Sequence, residues 1–202
     1  LTVLILIQLR GLGYMTVSSF MVLAVSGDQS TLRHRVVSNT LSLPAGFRVV
    51  PFLRLVIGFS LVIEALGAVA LYPVFIAHAS PQPVWDSLFH SVSAFCTAGF
   101  GLRSNSFEDY RDDVWLNLVI SVLSILGAIG FIVLHDLWKS LRERRRQATL
   151  TTKIILWSTF WITVIGTLLF ALEEPTVAAL PAGQRWMSAL FQVLSAGTTV
   201  GF

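Results

Sequence analysis

Residues 190–202 read LFQVLSAGTTVGF, and residues 88–100 read LFHSVSAFCTAGF. Laid side by side they agree at seven of thirteen positions: Leu, Phe, Ser, Ala, Thr, Gly and Phe, in that order. Each copy belongs to a short, mostly apolar stretch (84–95 and 184–196) that runs into small residues around a glycine, Gly99 or Gly201. As a helix, a dozen residues reaches roughly 18 Å, which is too short for a hydrocarbon core of roughly 30 Å. Such a segment lies on a membrane surface or enters the membrane and returns. Shared composition alone does not explain the agreement, because the order of elements around the two copies is shared as well.

Outward from these copies lie four longer apolar stretches, at residues 2–26, 51–77, 114–138 and 154–172. Each has the roughly 20 residues that a spanning helix needs. The 202-residue chain is 54% hydrophobic and 12% charged, with a mean hydropathy of +0.75. A soluble domain carries about twice that share of charge, so the expected class is an all-α membrane protein. The chain opens on Leu1, with no short signal peptide and no initiator methionine, as expected of a piece of a longer protein. Its single cysteine, Cys96, permits no intrachain disulfide.

Charge sorts the loops. Residues 28–54 carry Arg33, Arg35, Arg48 and Arg54 against Asp28, and residues 136–153 carry Lys139, Arg142, Arg144, Arg145, Arg146 and Lys153 against Asp136 and Glu143. The intervening loops are acidic, with Asp86, Glu108, Asp109, Asp112, Asp113, Glu173 and Glu174 opposed by Arg103, Arg111 and Arg185. The positive-inside rule places the basic loops in the cytoplasm and both short helices toward the outside of the plasma membrane. The basic loops lack interleaved aromatics and sit directly between spanning stretches, which argues against nucleic-acid binding. Arg142 to Arg146 suit either a regulatory partner or anionic lipid.

A second repeat supports the same organisation. LRGLGYM at residues 9–15 resembles LGAIGFI at 126–132, aligning Gly13 with Gly130. The expected units are residues 1–50, ending a first unit and running into a cytoplasmic loop; residues 51–138, a complete helix, short helix, glycine turn and helix; and residues 139–202, a basic loop followed by a third unit up to its turn. One complete unit is thus flanked by two partial ones.

Irregular backbone at membrane depth survives only where it lines a wet cavity or is covered by protein. An extended run of small residues can aim successive carbonyls at an axis and replace the water around a potassium-sized ion. Glycine at Gly99 and Gly201 allows backbone angles that a side chain resists. Thr199-Val200-Gly201-Phe202 also reads like the TVGY core of potassium-channel filters. The C-terminal end of each short helix carries roughly half a negative charge, which favours a cation at the turn. Acidic outer loops add a modest, screened attraction.

At QLRGLGYM (8–15), FHSVSAFCTAGF (89–100), LGAIGFIVLHDL (126–137) and residues 191–202, the sequence resembles the Trk/Ktr/HKT family of potassium-uptake proteins, with its bacterial Ktr-like branch the best likeness. The resemblance covers essentially the whole chain. It implies four helix–pore–helix units around one ion path, potassium uptake with sodium or proton coupling in some members, and one filter glycine per unit. It makes Gly99 and Gly201 filter glycines, with backbone carbonyls from Cys96, Thr97, Ala98, Thr198, Thr199 and Val200. It implies a homodimer on a cytoplasmic ring of nucleotide-binding regulatory subunits, with no cofactor beyond the transported ion. Arg10 departs from the pattern, standing where Gly127 stands in the next unit.

The other polar residues have structural roles open to them as well. Glu64 lies well inside the second spanning stretch, where an acid is a functional candidate by default; with Arg10 it is an expected intramembrane polar support. The competing reading is a buried acid bonded to a neighbouring backbone amide. His135 and Asp136 are adjacent on a helix and face different directions, which makes a poor metal site. His90 is matched by Gln192 and Cys96 by Thr198, so neither is expected to be catalytic, and no paired acid and base marks an enzyme. Ser91, Ser93 and Ser195 suit packing or support of the turns. Gly11–Gly13 lacks the βαβ context of a dinucleotide site, and Gly127 and Gly130 suit close helix packing. The rival to an ion filter is a secondary transporter with broken helices and a midplane site for another solute.

Overall fold

The computed structural model describes residues 1–11, 49–103, 106–142 and 148–202. The repeat partners Gly13 to Met15, the basic loop ahead of residue 49, the basic run at 143–147 and the side chains of Arg10 and His135 lie outside the described residues. Every regular element among the described residues is helical. In chain order these are α1 (Thr2–Gly11), α2 (Val49–Ala77), α3 (Pro83–Phe95), a 3-10 turn (Glu108–Tyr110), α4 (Val114–Ile129), α5 (Phe131–Arg142), α6 (Leu150–Glu173), α7 (Pro175–Ala178) and α8 (Ala182–Gly197).

Local chemistry sets the boundaries. Pro83 opens α3, where its missing N–H costs nothing, and Asp86 places an acid in the first turn. Asp113 caps α4 by accepting the Leu116 amide at 2.9 Å. Thr149 caps α6, and buried Asp136 reaches across from α5 to accept the Thr149 amide at 2.8 Å and the hydroxyls of Thr149 and Thr152 at 2.9 and 2.7 Å. Asp136 thus ties together the two helices on either side of the basic loop. In α2, Pro73 removes a rung of the helical ladder. Nearby, the Trp115 indole N–H donates to the Ala70 carbonyl at 2.8 Å and ties α4 to α2.

The expectation of one continuous helix over 114–138 is corrected. The run divides at Gly130, whose φ of 85° and ψ of 152° leave the helical region. Only glycine visits that region readily. Among the described residues, the close packing expected at Gly130 is not seen, since no described atom lies within 4 Å of where a Cβ would stand. It holds at Gly127, which abuts the Phe95 carbonyl.

The main core gathers α2, α3 and α4, with Ile7 from α1, Phe191 from α8 and Phe107 and Tyr110 from the segment between α3 and α4. A smaller cluster, Ala171, Val177 and Ala189, packs α6, α7 and α8 together. Residues 56–77 of α2, and α6 as a whole, are long and apolar enough to span a bilayer. Trp157, Phe160, Trp161, Ile162, Ile165 and Leu168 project exposed from α6, a surface suited to lipid rather than water.

Candidate functional site

The helices α3 and α8 end in the same way, residue for residue. The Cys96 amide bonds the Val92 carbonyl at 2.9 Å, and the Thr198 amide bonds Leu194 at 2.9 Å. One residue on, Thr97 bonds Ala94 at 3.1 Å and Thr199 bonds Ala196 at 3.0 Å. The sign of φ then alternates. It is −75° at Cys96 and −87° at Thr198. It is positive at Thr97 (49°) and Gly99 (68°), and at Thr199 (58°) and Gly201 (73°), but not at Ala98 or Val200. A left-handed β-branched residue is an outlier and costs on the order of 1–3 kcal/mol. The outlier falls at the matched threonine of both turns.

Serine holds each turn closed. Ser93 Oγ donates to the Phe100 carbonyl at 2.8 Å and accepts the Phe100 amide at 2.9 Å. Ser195 Oγ donates to the matched Phe202 carbonyl at 3.3 Å. Ser93→Ala orphans two backbone groups and is expected to cost about 2–3 kcal/mol, whereas Ser195→Ala, losing one long bond, is expected to cost about 1 kcal/mol. Thermal unfolding of the complete protein in detergent checks the order; equal shifts would contradict it.

The two turns meet. A Cβ built on Gly99 would stand 1.7 Å from the Val200 carbonyl oxygen. The Phe107 and Phe202 rings pack with centroids 4.7 Å apart. Cys96, Thr198 and Val200 are buried; Thr97, Ala98 and Gly99 are half-buried; Thr199 and Gly201 are exposed. All eight expected residues therefore lie on two abutting turns, each immediately beyond a helix C-terminus.

Glu64 is nine-tenths and more buried behind the first turn. Its Oε1 accepts the Gln8 Nε2–H at 2.9 Å and faces Cys96 Sγ at 3.7 Å. Ser91 Oγ donates to the Glu64 main-chain carbonyl at 2.7 Å. Gln8 was missed as a site residue. Its only signal in the sequence is a polar amide within the apolar run of α1. His90 stacks on Phe75 and bridges the Asp86 carbonyl (Nδ1, 2.8 Å) and the Leu102 amide (Nε2, 3.5 Å). One N–H and one lone pair, hence a neutral ring, satisfy both. It braces the loop above α3.

The match to known proteins is extensive. The TrkH family model, described as a cation transport protein, covers residues 3–202. The chain is 34% identical over 203 aligned residues to Ktr system potassium uptake protein B of Vibrio alginolyticus, covering 98% of this chain and 44% of that protein. It is 33% identical over 183 residues to potassium/sodium uptake protein NtpJ of Enterococcus hirae, covering 90% and 40%. It is 34% identical over 207 residues to Ktr system potassium uptake protein B of Bacillus subtilis, covering 98% and 45%. The chain spans less than half the length of these relatives. With a family model matched along nearly its whole length, this all-helical membrane chain belongs to the TrkH family of cation transport proteins.

Proposed function

We propose that this chain builds part of a potassium-uptake pathway in which main-chain carbonyls of Cys96–Gly99 and Thr198–Gly201 replace water around the ion. The observation that carries the reading is the contact of Gly99 with the Val200 carbonyl. It joins two turns of matched backbone handedness, each at a helix C-terminus. Two such ends contribute about half a negative charge apiece. In a site shielded from bulk water that field favours a cation strongly, while carbonyl number and spacing choose among alkali ions. The relatives' names, potassium and potassium/sodium uptake proteins, agree with an alkali cation.

On this reading residues 51–138 form a complete helix–pore helix–filter–helix unit between the end of one unit (1–50) and the start of another (139–202). The basic loops face the cytoplasm and both turns open outward. The chain performs no catalysis. The complete protein forms a homodimer on a nucleotide-binding cytoplasmic subunit, and conduction is passive or coupled to sodium or protons. Among the described residues, the break at Gly130 favours a broken-helix transporter of another solute. Radioactive rubidium uptake by the complete protein in potassium-uptake-deficient cells separates the two. Rubidium entry that potassium competes with, and sodium competes with less well, supports the filter. Saturable uptake of an organic solute without alkali-cation flux overturns it.

A further inference from the structure

The two turns share the signs of φ and differ in how their first side chain is held. Thr198 closes on its own helix, its Oγ1 donating to the Leu194 carbonyl at 2.6 Å. Cys96, at the matched position, reaches toward α1 and α2. Its thiol lies 3.7 Å from Glu64 Oε1 and 3.8 Å from Gln8 Oε1, and Gln8 Nε2 in turn donates to Glu64 at 2.9 Å. Two glycines allow this approach: Gly11 of α1 sits against Cys96, and Gly67 of α2 sits against the Ser91 hydroxyl that bonds the Glu64 carbonyl. Three helices therefore converge on the residue where α3 ends and the first turn begins.

We infer that Glu64 and Gln8 are positioning residues for ion selectivity, acting through Cys96 on the orientation of the Cys96–Gly99 carbonyls. The inference rests on the carbonyl-filter reading above. A carboxyl this deep in a spanning helix is expensive; greasy packing would have joined α1, α2 and α3 at less cost. What the polar group adds is direction. A thiol held by oxygens on two neighbouring helices fixes the end of α3 against both. The Cys96–Gly99 turn begins at that residue, so a shift of Cys96 passes straight into it. Filter carbonyls discriminate by number and spacing, so a displacement of the turn changes the potassium-to-sodium ratio before it changes the fold.

The role asks for an acceptor oxygen at Oε1, not for a charge. Glu64→Gln keeps that oxygen and is expected to retain the wild-type ratio. Glu64→Leu, of similar volume, is expected to lower potassium-over-sodium discrimination about tenfold, the change that 1.4 kcal/mol makes, with the protein still folded and still passing rubidium. Cys96→Ala is expected to do the same, and the double variant Glu64→Leu with Cys96→Ala to be no worse than either alone, because both break one link. Should Glu64→Leu fail to assemble, Gln8→Leu with Cys96→Ala runs the same cycle from α1.

The measurement is rubidium uptake by the complete protein under sodium competition, with Gly99→Ser alongside. If Gly99→Ser alters discrimination while Glu64→Leu and Gln8→Leu leave it unchanged, the positioning role is overturned and the filter stands. If none of the three alters it, the filter reading falls too. If Glu64→Gln loses discrimination as fully as Glu64→Leu, the carboxyl acts by its charge on the ion path and the strut is overturned.

Discussion

Gly99→Ser is expected to lower potassium-over-sodium discrimination roughly a hundredfold, the largest selectivity change that any single substitution here should produce. Two costs add. Gly99 holds a φ of 68°, which an L side chain adopts at a cost on the order of 1–2 kcal/mol. A Cβ there would stand 1.7 Å from the Val200 oxygen and 2.8 Å from its carbon, which is backbone and has no rotamer to yield. Overpacking against fixed atoms costs about 1–3 kcal/mol, so the total is on the order of 3 kcal/mol, near a hundredfold in an equilibrium. The cost is relieved by pushing Val200 aside, and Val200 carries one of the proposed ligand oxygens. Gly201 has a similar φ of 73° but no described atom within 4 Å of its Cβ direction. Within this chain Gly201→Ser meets the conformational cost alone. Ion competition in rubidium uptake measures both. A Gly99→Ser protein that distinguishes potassium from sodium as the wild type does would remove these turns from the ion path.

The short helices were legible because their ends are written in chemistry. The apolar run at 84–95 follows Pro83, and α3 is Pro83–Phe95; the run at 184–196 follows Pro181, and α8 is Ala182–Gly197. Comparison between copies made the turns legible as well, since a residue that is ambiguous alone gains meaning from its match. Intrinsic preference would have misled at Thr97 and Thr199, where β-branched residues are left-handed. That conformation is imposed by the capping bonds and the serine clasps around it. The break at Gly130 was not legible, because a glycine in an apolar run serves equally for close packing or for an unusual φ. The partnership of Gln8, Glu64 and Cys96 was hidden for a different reason. In a membrane chain both the buried and the lipid-facing sides of a helix are apolar, so no polar stripe marks which face meets which neighbour. The contact of Gly99 with Val200 joins residues 101 positions apart, a separation that no local pattern encodes.

Gly127→Ala is expected to destabilise the complete protein more than any other single-methyl change in these helices. The added carbon would stand 1.8 Å from the Phe95 oxygen, 2.8 Å from its carbonyl carbon and 3.4 Å from its Cα. All three are backbone at the last residue of α3, so α4 must withdraw by more than an ångström or carry the end of α3 with it. Helix propensity works the other way, since alanine is favoured over glycine by about 1 kcal/mol in a helix interior. The steric term, about 1–3 kcal/mol and more where backbone must move, outweighs it. Gly58 of α2 supplies the control. No described atom lies within 4 Å of its Cβ direction, so Gly58→Ala keeps the propensity gain and is expected to be neutral or stabilising. Thermal unfolding in detergent reads the difference, with Gly127→Ala several degrees below wild type and Gly58→Ala at or above it. The same withdrawal reaches the site, because Phe95 immediately precedes Cys96 and its ring packs against Phe131 with centroids 6.2 Å apart. A Gly127→Ala protein that melts with the Gly58→Ala control would mean that α4 does not approach the end of α3 this closely. In that case the first turn would be held from the α1 and α2 side alone.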